Sequence, residues 1–437
     1  MKLKKKQENY FLIGVSLLII FSFFLGFFLN ENSAGGGGFN GDFGNYIWPN
    51  LNLFKENIFI NINSYNYTDS RMPTSYILHV LFNPFINTEL QFRISTFFVS
   101  ILCPIFFFLN LRLKYKNFNT NLLLFLTCLL LLSPYFRTSA YWGLQENYGI
   151  LCILISYYAY QKYFMVLKYK TDKTQFLTLF FLSFFSSLSF YFDQKLLIIP
   201  FIFFILLVFD NKISIISKIT LIIYYTLMSI PALYLILLWK GILPPNAMEA
   251  RQTGTRLNFY NLGYASTIIF FYAIPYLLLI NNLKKKFLIF IKNKLNYYLI
   301  IFIAYFFILL LYSNFNDLSN VGQGIFHKLI NFIFFDKLVQ HAITIFIFLL
   351  SWIIMNFFIE NFNNKFITKL FFYYLVFISL FIYPIFQEYF DPLILIAMFT
   401  FLNFNFFINF KNILILFLYF AFFLIFINLY YLEIVKI

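Results

Sequence analysis

Long apolar runs alternate with short polar stretches along almost the whole chain. The runs fall at about 10–29, 91–111, 120–134, 147–165, 176–192, 195–209, 215–239, 263–281, 296–312, 340–358, 367–386, 392–410 and 412–431. About 20 apolar residues are needed to cross a hydrocarbon core as a helix. The pattern therefore predicts an all-α polytopic membrane protein with about thirteen transmembrane helices. No strand-like alternation long enough to build a barrel interrupts it, and no internal repeat is evident. The reading is one multi-pass domain over 1–437. Its longer polar stretches lie at about 30–90, 135–146, 240–262 and 313–339.

Composition agrees. Hydrophobic residues make up 61% of the chain and charged residues only 11%, against about 25% charged in a soluble domain. Aromatic residues reach 24%, but Phe, Ile, Asn, Tyr and Lys are all abundant together, which reflects an AT-rich genome as much as function. The N-terminal segment has a basic start and an apolar core, as a signal peptide does. The core from Phe11 to Leu29 is long enough to span, and Asn32-Ser33-Ala34 is a poor cleavage site, so an uncleaved first helix is expected.

The net charge of +15 records topology rather than nucleic-acid binding. If Lys2, Lys4, Lys5 and Lys6 are cytoplasmic and each run crosses once, about two thirds of the basic residues fall inside, as the positive-inside rule requires. The acids run the other way: only Glu8, Asp172, Asp210 and Glu360 fall inside. All four longer polar stretches then face out, and an odd number of crossings puts the C-terminus outside. This is the expected arrangement of a plasma (inner) membrane protein. Arginine is scarce beside lysine, and of the six only Arg112 falls inside; Arg71, Arg93, Arg137, Arg251 and Arg256 lie outside. Arginine kept where lysine is the habit points to planar, bidentate recognition of phosphate. Anchoring at the membrane interface is the competing explanation.

Outward residues carry the candidate chemistry. Asp42 stands in the glycine-rich Gly35 to Gly44 stretch, where backbone can approach a ligand closely and a carboxylate can take a proton. Asp69-Ser70-Arg71-Met72-Pro73 follows in the same stretch. Arg137, Trp142 and Gln145-Glu146 occupy the second, and Asp193-Gln194-Lys195 forms a tight turn between two apolar runs. Trp239-Lys240-Gly241 and Pro244-Pro245 lead to Arg251 and Arg256, and Glu388-Tyr389-Phe390-Asp391-Pro392 lies near the end. The plain alternatives are a flexible loop for Asp42, a helix N-terminal carboxylate for Glu146 and a solvated turn for Asp193 to Lys195. Cys103, Cys128 and Cys152 sit inside apolar runs, and the histidines are scattered. No metal-ligand spacing appears.

The order of these segments resembles the GT-C-type integral membrane glycosyltransferases. More narrowly, the chain is similar to the dolichyl- or polyprenyl-phosphate-glucose-dependent α-1,2-glucosyltransferases and their bacterial relatives. The likeness covers most of the chain through short motifs: an acid after the first helix (Asp42), an Asp-x-x-x-Pro-like segment (Asp69 to Pro73) and an acid before a later helix (Glu146). A basic-Gln turn of that group falls where this chain has Asp193-Gln194-Lys195, a Trp-x-Gly segment (Trp239 to Gly241) precedes a helix with Pro275, and its aromatic-rich acid-x-Tyr-x-x-Pro segment resembles Glu388-Tyr389-Phe390-Asp391-Pro392. Two departures are Phe43, where the eukaryotic group has a second acid, and Asp193, where it has an arginine.

What the resemblance implies is inverting transfer of a sugar from a polyprenyl-phosphate donor to a lipid-linked glycan, lipid or protein acceptor. It would act on the non-cytoplasmic face with no cofactor and no nucleic-acid partner. Asp42 would be the catalytic base, with Glu146 a second catalytic residue. Asp69, Arg137, Trp142, Asp193, Gln194, Lys195, Lys240, Arg251, Arg256, Glu388 and Tyr389 would bind substrate. A divalent cation is conceivable between paired acids, but no ligand spacing supports one. Competing classes are a lipid-linked sugar flippase or transporter, which calls for polar residues inside broken helices, and an O-antigen polymerase or ligase, which calls for a basic late loop.

Overall fold

The structure is a computed structural model. It describes residues 2–32, 39–167, 172–247, 257–312, 322–382, 384–402, 404 and 408–434. Among the described residues it is helical, with one isolated antiparallel bridge between Phe362 and Phe404. The chain is an all-α, multi-pass membrane protein. Among the described residues seven helices are long and apolar enough to cross a bilayer: Lys6–Phe28, Glu89–Lys114, Thr174–Phe192, Ile215–Trp239, Leu283–Tyr312, Lys337–Ile359 and Phe410–Tyr431. An eighth crossing results if Thr120–Leu132 and Pro134–Trp142, bent by 68° at Ser133, are counted as one. The bend follows from Pro134, which has no N–H to continue the ladder.

Of the remaining apolar runs, the one at 147–165 is an unbroken helix, Glu146–Val166, whereas two others are shorter or interrupted. The run at 195–209 is a 3₁₀ turn, Gln194–Leu197, leading into the helix Ile198–Val208. The run at 392–410 gives only the short buried helix Leu393–Phe399. Apolar composition does not separate a segment buried in protein from one facing lipid: every residue from Leu393 to Phe399 is buried, whereas Leu197, Phe201 and Phe209 of the other run are exposed.

Contacts divide the chain into two compact units. The first comprises Met1–Asn32, Gly37–Leu131 and Phe136–Gln252; the second comprises Ser33–Gly36, Leu132–Tyr135 and Thr253–Ile437.

In the first unit the helices are α1 (Lys2–Phe28), α2 (Phe39–Asp42), α3 (Trp48–Glu56), α4 (Ile58–Asn61) and α5 (Thr74–Phe82). Then come α6 (Glu89–Lys114), α7 (Thr120–Cys128), α8 (Pro134–Trp142), α9 (Glu146–Val166), α10 (Asp172–Phe192), α11 (Ile198–Val208) and α12 (Ile215–Trp239). Among its described residues the stretch at 30–90 is thus four short α-helices, a π-helical segment Phe43–Ile47 and turns rather than an open loop. Small and polar residues join the long helices, as expected where lipid supplies no hydrophobic drive between them. Asn110 donates to the Leu154 carbonyl at 2.8 Å, and Asn147 donates to Ser100 Oγ at 3.1 Å. Along α10, Ser183, Ser186 and Ser189 are buried and return their hydroxyl protons to carbonyls of their own helix. That leaves short side chains where α9 packs.

The second unit is built around α13 (Tyr260–Leu277), most of whose residues are buried. Around it lie α14 (Leu283–Tyr312), α15 (Gly324–Ile333), α16 (Lys337–Ile359), α17 (Lys365–Ile378), α18 (Leu393–Phe399) and α19 (Phe410–Tyr431). Gly263 lets α13 meet α16: a Cβ there would fall 2.2 Å from the Phe348 ring. Asn261 Nδ2 donates to the Ser379 carbonyl at 3.1 Å, and Ser379 Oγ returns a bond to the Asn261 carbonyl at 3.0 Å. Helix α15 lies within the stretch expected as a late outer loop.

Candidate functional site

The first unit gathers three of the segments expected to face outward around one carboxylate, Asp69. Its own turn is locally fixed. Asp69 Oδ1 accepts from the Arg71 backbone N–H at 3.1 Å, an Asx turn. The Tyr67 hydroxyl donates to the Arg71 carbonyl at 2.6 Å. Phe54 stacks on Tyr76 at 5.6 Å and meets Tyr67 edge-on at 5.3 Å, so apolar packing backs the turn. Asn50 pins the preceding residue, accepting from the Thr68 N–H at 3.2 Å and donating to its hydroxyl at 3.1 Å.

Onto this turn come the other two segments. The Tyr76 hydroxyl donates to Asp69 Oδ2 at 2.6 Å, and Gln145 Nε2 donates to the same oxygen at 3.1 Å. The Arg71 guanidinium lies 3.9 Å from Asp69 and pairs with Glu146 Oε1. Gly143, with φ +67°, turns the chain so that Gln145 and Glu146 open α9 in this direction. From the third segment, Gln194 Nε2 donates to the Ser70 carbonyl at 3.3 Å. Asp193 accepts from the Lys195 N–H at 3.1 Å and pairs with its ammonium at 3.1 Å. Gly149 permits this approach, because a Cβ on it would fall 2.6 Å from Leu196 Cδ1.

The result is three carboxylates and two cations in a partly dry setting. The Asp69 and Asp193 side chains are 4% and 7% exposed, those of Glu146 and Lys195 18% each. Burial works against the charge on Arg71, but Glu146, Asp69 and Asp193 outweigh it and hold the guanidinium well above its ordinary value. Burial, and then the charge of Asp69, push the Tyr67 and Tyr76 hydroxyls well above theirs. Both therefore stay protonated donors. Two acceptors in the cluster, Glu146 Oε2 and Gln145 Oε1, are buried and have no hydrogen-bond partner among the described residues. A buried acceptor left unmade costs about 1–3 kcal/mol, so both are poised to take donors from a bound hydroxylic ligand or water.

Arg71 is the group that sequence reasoning undervalued. It reads equally well as an interface anchor, and the retention of arginine in a lysine-rich chain is the signal that marks it. Arg137 goes the other way. Its Nε and Nη2 engage the Glu31 carboxylate, and its remaining donors go to Ser22 Oγ and to the carbonyls of Leu131 and Ser22. It is 3% exposed, so its fork joins the end of α1 to α8 and has no donor left for a phosphate. Trp142 is likewise a fixture: its indole N–H donates to the Glu31 carbonyl at 3.0 Å, and Arg93 covers its ring at 3.9 Å.

Asp42 ends α2 and is half-buried. The next residue, Phe43, is buried among the rings of Trp48, Phe92 and Trp142 at 6.0–6.2 Å. This aromatic shelf fixes the backbone that carries Asp42. Phe92 also meets His79, whose Nε2 lies 3.0 Å from the Tyr148 hydroxyl. Burial lowers His79 to about 4, so it is neutral at ordinary pH.

Lys240 terminates α12 in a left-handed conformation, φ +53°, and is exposed. Beside it the Trp239 indole donates to the Ile62 carbonyl at 2.8 Å, and Asn246 donates to the Tyr65 carbonyl at 2.9 Å. These bonds tie the fourth segment to the first. Arg251 and Arg256 lie outside the described residues. Glu388 and Tyr389 belong to the second unit, in a 3₁₀ turn, Gln387–Tyr389, before the buried Asp391. Ser133 Oγ donates to Asp391 at 2.6 Å. Burial pushes this carboxyl up to about 7, against hydrogen bonds from Ser133 and the Tyr135 N–H.

Among the described residues no three His, Cys, Asp or Glu side chains are grouped to hold a metal ion. Comparison of the chain with protein families, with curated proteins and with solved structures finds no match in any of the three.

Proposed function

We propose that the chain is a membrane glycosyltransferase of the GT-C type that moves a sugar from a polyprenyl-phosphate donor to a hydroxylic acceptor on the non-cytoplasmic face. One observation carries the reading: the Asp69–Arg71, Gln145–Glu146 and Asp193–Lys195 segments, far apart in sequence, meet in one half-buried cluster with unpartnered acceptors. Membrane packing alone does not call for buried carboxylates there, since a charge drawn toward the bilayer centre costs roughly 2.5–3.5 kcal/mol. The topological frame is several crossings of the plasma membrane with a cytoplasmic N-terminus.

In this mechanism Asp42 is the general base. The acceptor oxygen attacks C1 of the donor sugar as its proton passes to the Asp42 carboxylate. The bond from C1 to the phosphate oxygen breaks with its electron pair, and lipid phosphate leaves. Inversion at C1 follows from single displacement. Glu146 Oε2 and Gln145 Oε1 accept from sugar hydroxyls, with Arg71 holding Glu146 in place. Lys195 and the exposed Lys240 are the cations for the departing phosphate. A positioned base contributes about 10²–10⁴-fold.

The test uses membranes containing the protein and a panel of radiolabelled polyprenyl-phosphate sugars, with extraction and analysis of labelled product. Transfer in the wild type that falls at least a hundredfold in Asp42→Asn, with insertion unchanged, is the expected outcome. A purified Asp42→Asn variant with wild-type turnover removes Asp42 from the mechanism. No transfer from any donor in the panel, by wild-type protein shown to be folded, removes the activity.

A further inference from the structure

The second unit holds a feature that sugar transfer does not use. Helix α14 is 30 residues long, or about 45 Å at 1.5 Å per residue. That is roughly ten residues more than a bilayer needs. The excess lies at its N-terminal end, where Lys284, Lys285, Lys286, Lys292 and Lys294 are found, and no charged residue follows from Leu295 to Tyr312. Lys294 therefore marks the level at which hydrocarbon begins.

At that level a cavity of about 380 Å³ opens between α14, the end of α16 and the start of α17, with Lys286, Lys294 and Lys365 in its wall. Glu360 is the acid within it, paired with Lys294 at 2.7 Å, Lys365 at 3.0 Å and Lys369 at 3.2 Å. Four lysines around one carboxylate leave an excess of positive charge that the protein does not neutralise there.

Farther along the same three helices is a second cavity, of about 440 Å³, with an apolar wall that includes Ile301, Tyr305, Ile308, Phe348 and Phe377. Lys286, Phe290, Lys294, Ile301, Tyr305 and Ile308 recur at helical spacing, so one stripe of α14 lines both cavities. Aromatic residues link the two, Trp352 and Tyr373 among them lining the second cavity itself. The Tyr298 hydroxyl reaches Glu360 at 3.3 Å, the Trp352 indole donates to the Tyr298 carbonyl at 3.1 Å, and Trp352 stacks on Tyr373 at 5.9 Å. Cations, then amphipathic aromatics, then an apolar slot is the depth profile of one membrane leaflet.

We propose that this stripe holds an anionic diacyl phospholipid lengthwise, its phosphate against Lys286, Lys294 and Lys365 and one acyl chain in the apolar cavity. Excess lysine selects a net negative headgroup over a zwitterionic one. The occupant is bulk lipid because α14 also presents Ile300, Ile303, Phe307 and Leu311 exposed, so it meets the leaflet directly. The site is separate from the residues placed in sugar transfer.

Native mass spectrometry of the full-length protein in non-ionic detergent tests the assignment. The ligands are dioleoyl-phosphatidylglycerol, dioleoyl-phosphatidylcholine, dihexanoyl-phosphatidylglycerol, a polyprenyl phosphate and inorganic phosphate. Dioleoyl-phosphatidylglycerol is expected to bind at least tenfold more tightly than the choline lipid. The Lys286→Gln/Lys365→Gln variant should lose about tenfold or more of that affinity, since each lysine near an anionic headgroup counts. Both lysines are exposed, so the variant keeps its fold, and its melting temperature is the check. Ile308→Trp should fill the slot and weaken the dioleoyl lipid several-fold while leaving the dihexanoyl lipid unchanged. Equal binding of the choline lipid, or undiminished binding by the folded lysine variant, overturns the headgroup site. Preference for the polyprenyl phosphate, or equally tight binding of inorganic phosphate, overturns the diacyl occupant.

Discussion

Replacing Arg71 by Met tests whether the polar cluster is a single energetic unit. Arg71 pairs with Glu146 and lies 3.9 Å from Asp69, with its side chain 20% exposed and those of the two acids 18% and 4%. At 3.9 Å and an effective dielectric near 20, one unit charge pair is worth about 4 kcal/mol. Removing one member of a buried pair costs about 3–5 kcal/mol, because the other charge is left dry, whereas exposed pairs are worth about 0–1. Partners no more than one-fifth exposed belong nearer the first limit, so Arg71→Met should destabilise by about 3 kcal/mol. The assay is reversible unfolding of the purified protein in mixed micelles titrated with SDS. Glu146→Gln removes one of the stranded charges, so the double variant should recover at least about 1.5 kcal/mol of coupling in a double-mutant cycle. A single variant that loses under about 0.5 kcal/mol, with coupling near zero, would refute the argument: the cluster would then be solvated and the charges independent.

Three further predictions concern topology, pH and packing. Single cysteines placed beside Asp42, Glu146, Lys240 and Glu388 should all react with an impermeant reagent in intact cells, and protection of any one would mean that an odd number of crossings separates it from the others. His79 is lowered to about 4 in the fold against about 6.5 unfolded. The unfolded state therefore binds more protons below pH 6.5, and stability should be full above that pH and fall by about 3 kcal/mol as pH drops to 4; a His79→Gln variant with the same pH slope removes the assignment. Gly149→Leu should push Leu196 and the Asp193 turn away from α9, costing about 1–3 kcal/mol as overpacking does, and transfer by that variant at the wild-type rate would show that the turn's position is immaterial.

Much of the helical, membrane-bound character was legible because lipid solvation writes itself into composition. The convergence of Asp69, Glu146 and Asp193 was also foreshadowed, since Asp69 lies in a polar stretch, and Glu146 and Asp193 at ends of apolar runs, on the same predicted side. What was not legible depends on pairings between distant residues. Arg137 and Arg71 look alike in sequence, yet one is consumed by Glu31 and the other supports Glu146. Glu31, three residues beyond the end of α1, gave no local sign of its partner 106 positions away. Nor did periodicity distinguish spans from interior segments: Leu122–Trp142 reads as lipid-facing in composition and is almost wholly buried in protein.

The cluster around Asp69 also fixes an order of events during synthesis. Its three segments leave the ribosome far apart in time: Asp69 and Arg71 first, Gln145 and Glu146 after α6 to α8 are made, and Asp193 to Lys195 only once α10 is complete. Until then each charge must remain in water, because a lone buried one is too costly, and the loop between Arg71 and Glu146 adds a closure entropy that local contacts do not offset. The polar rim therefore closes after the helical frame stands. A nascent chain stopped short of residue 193 holds its membrane helices without the finished rim, so cluster formation reports that assembly of the first unit has reached its third turn.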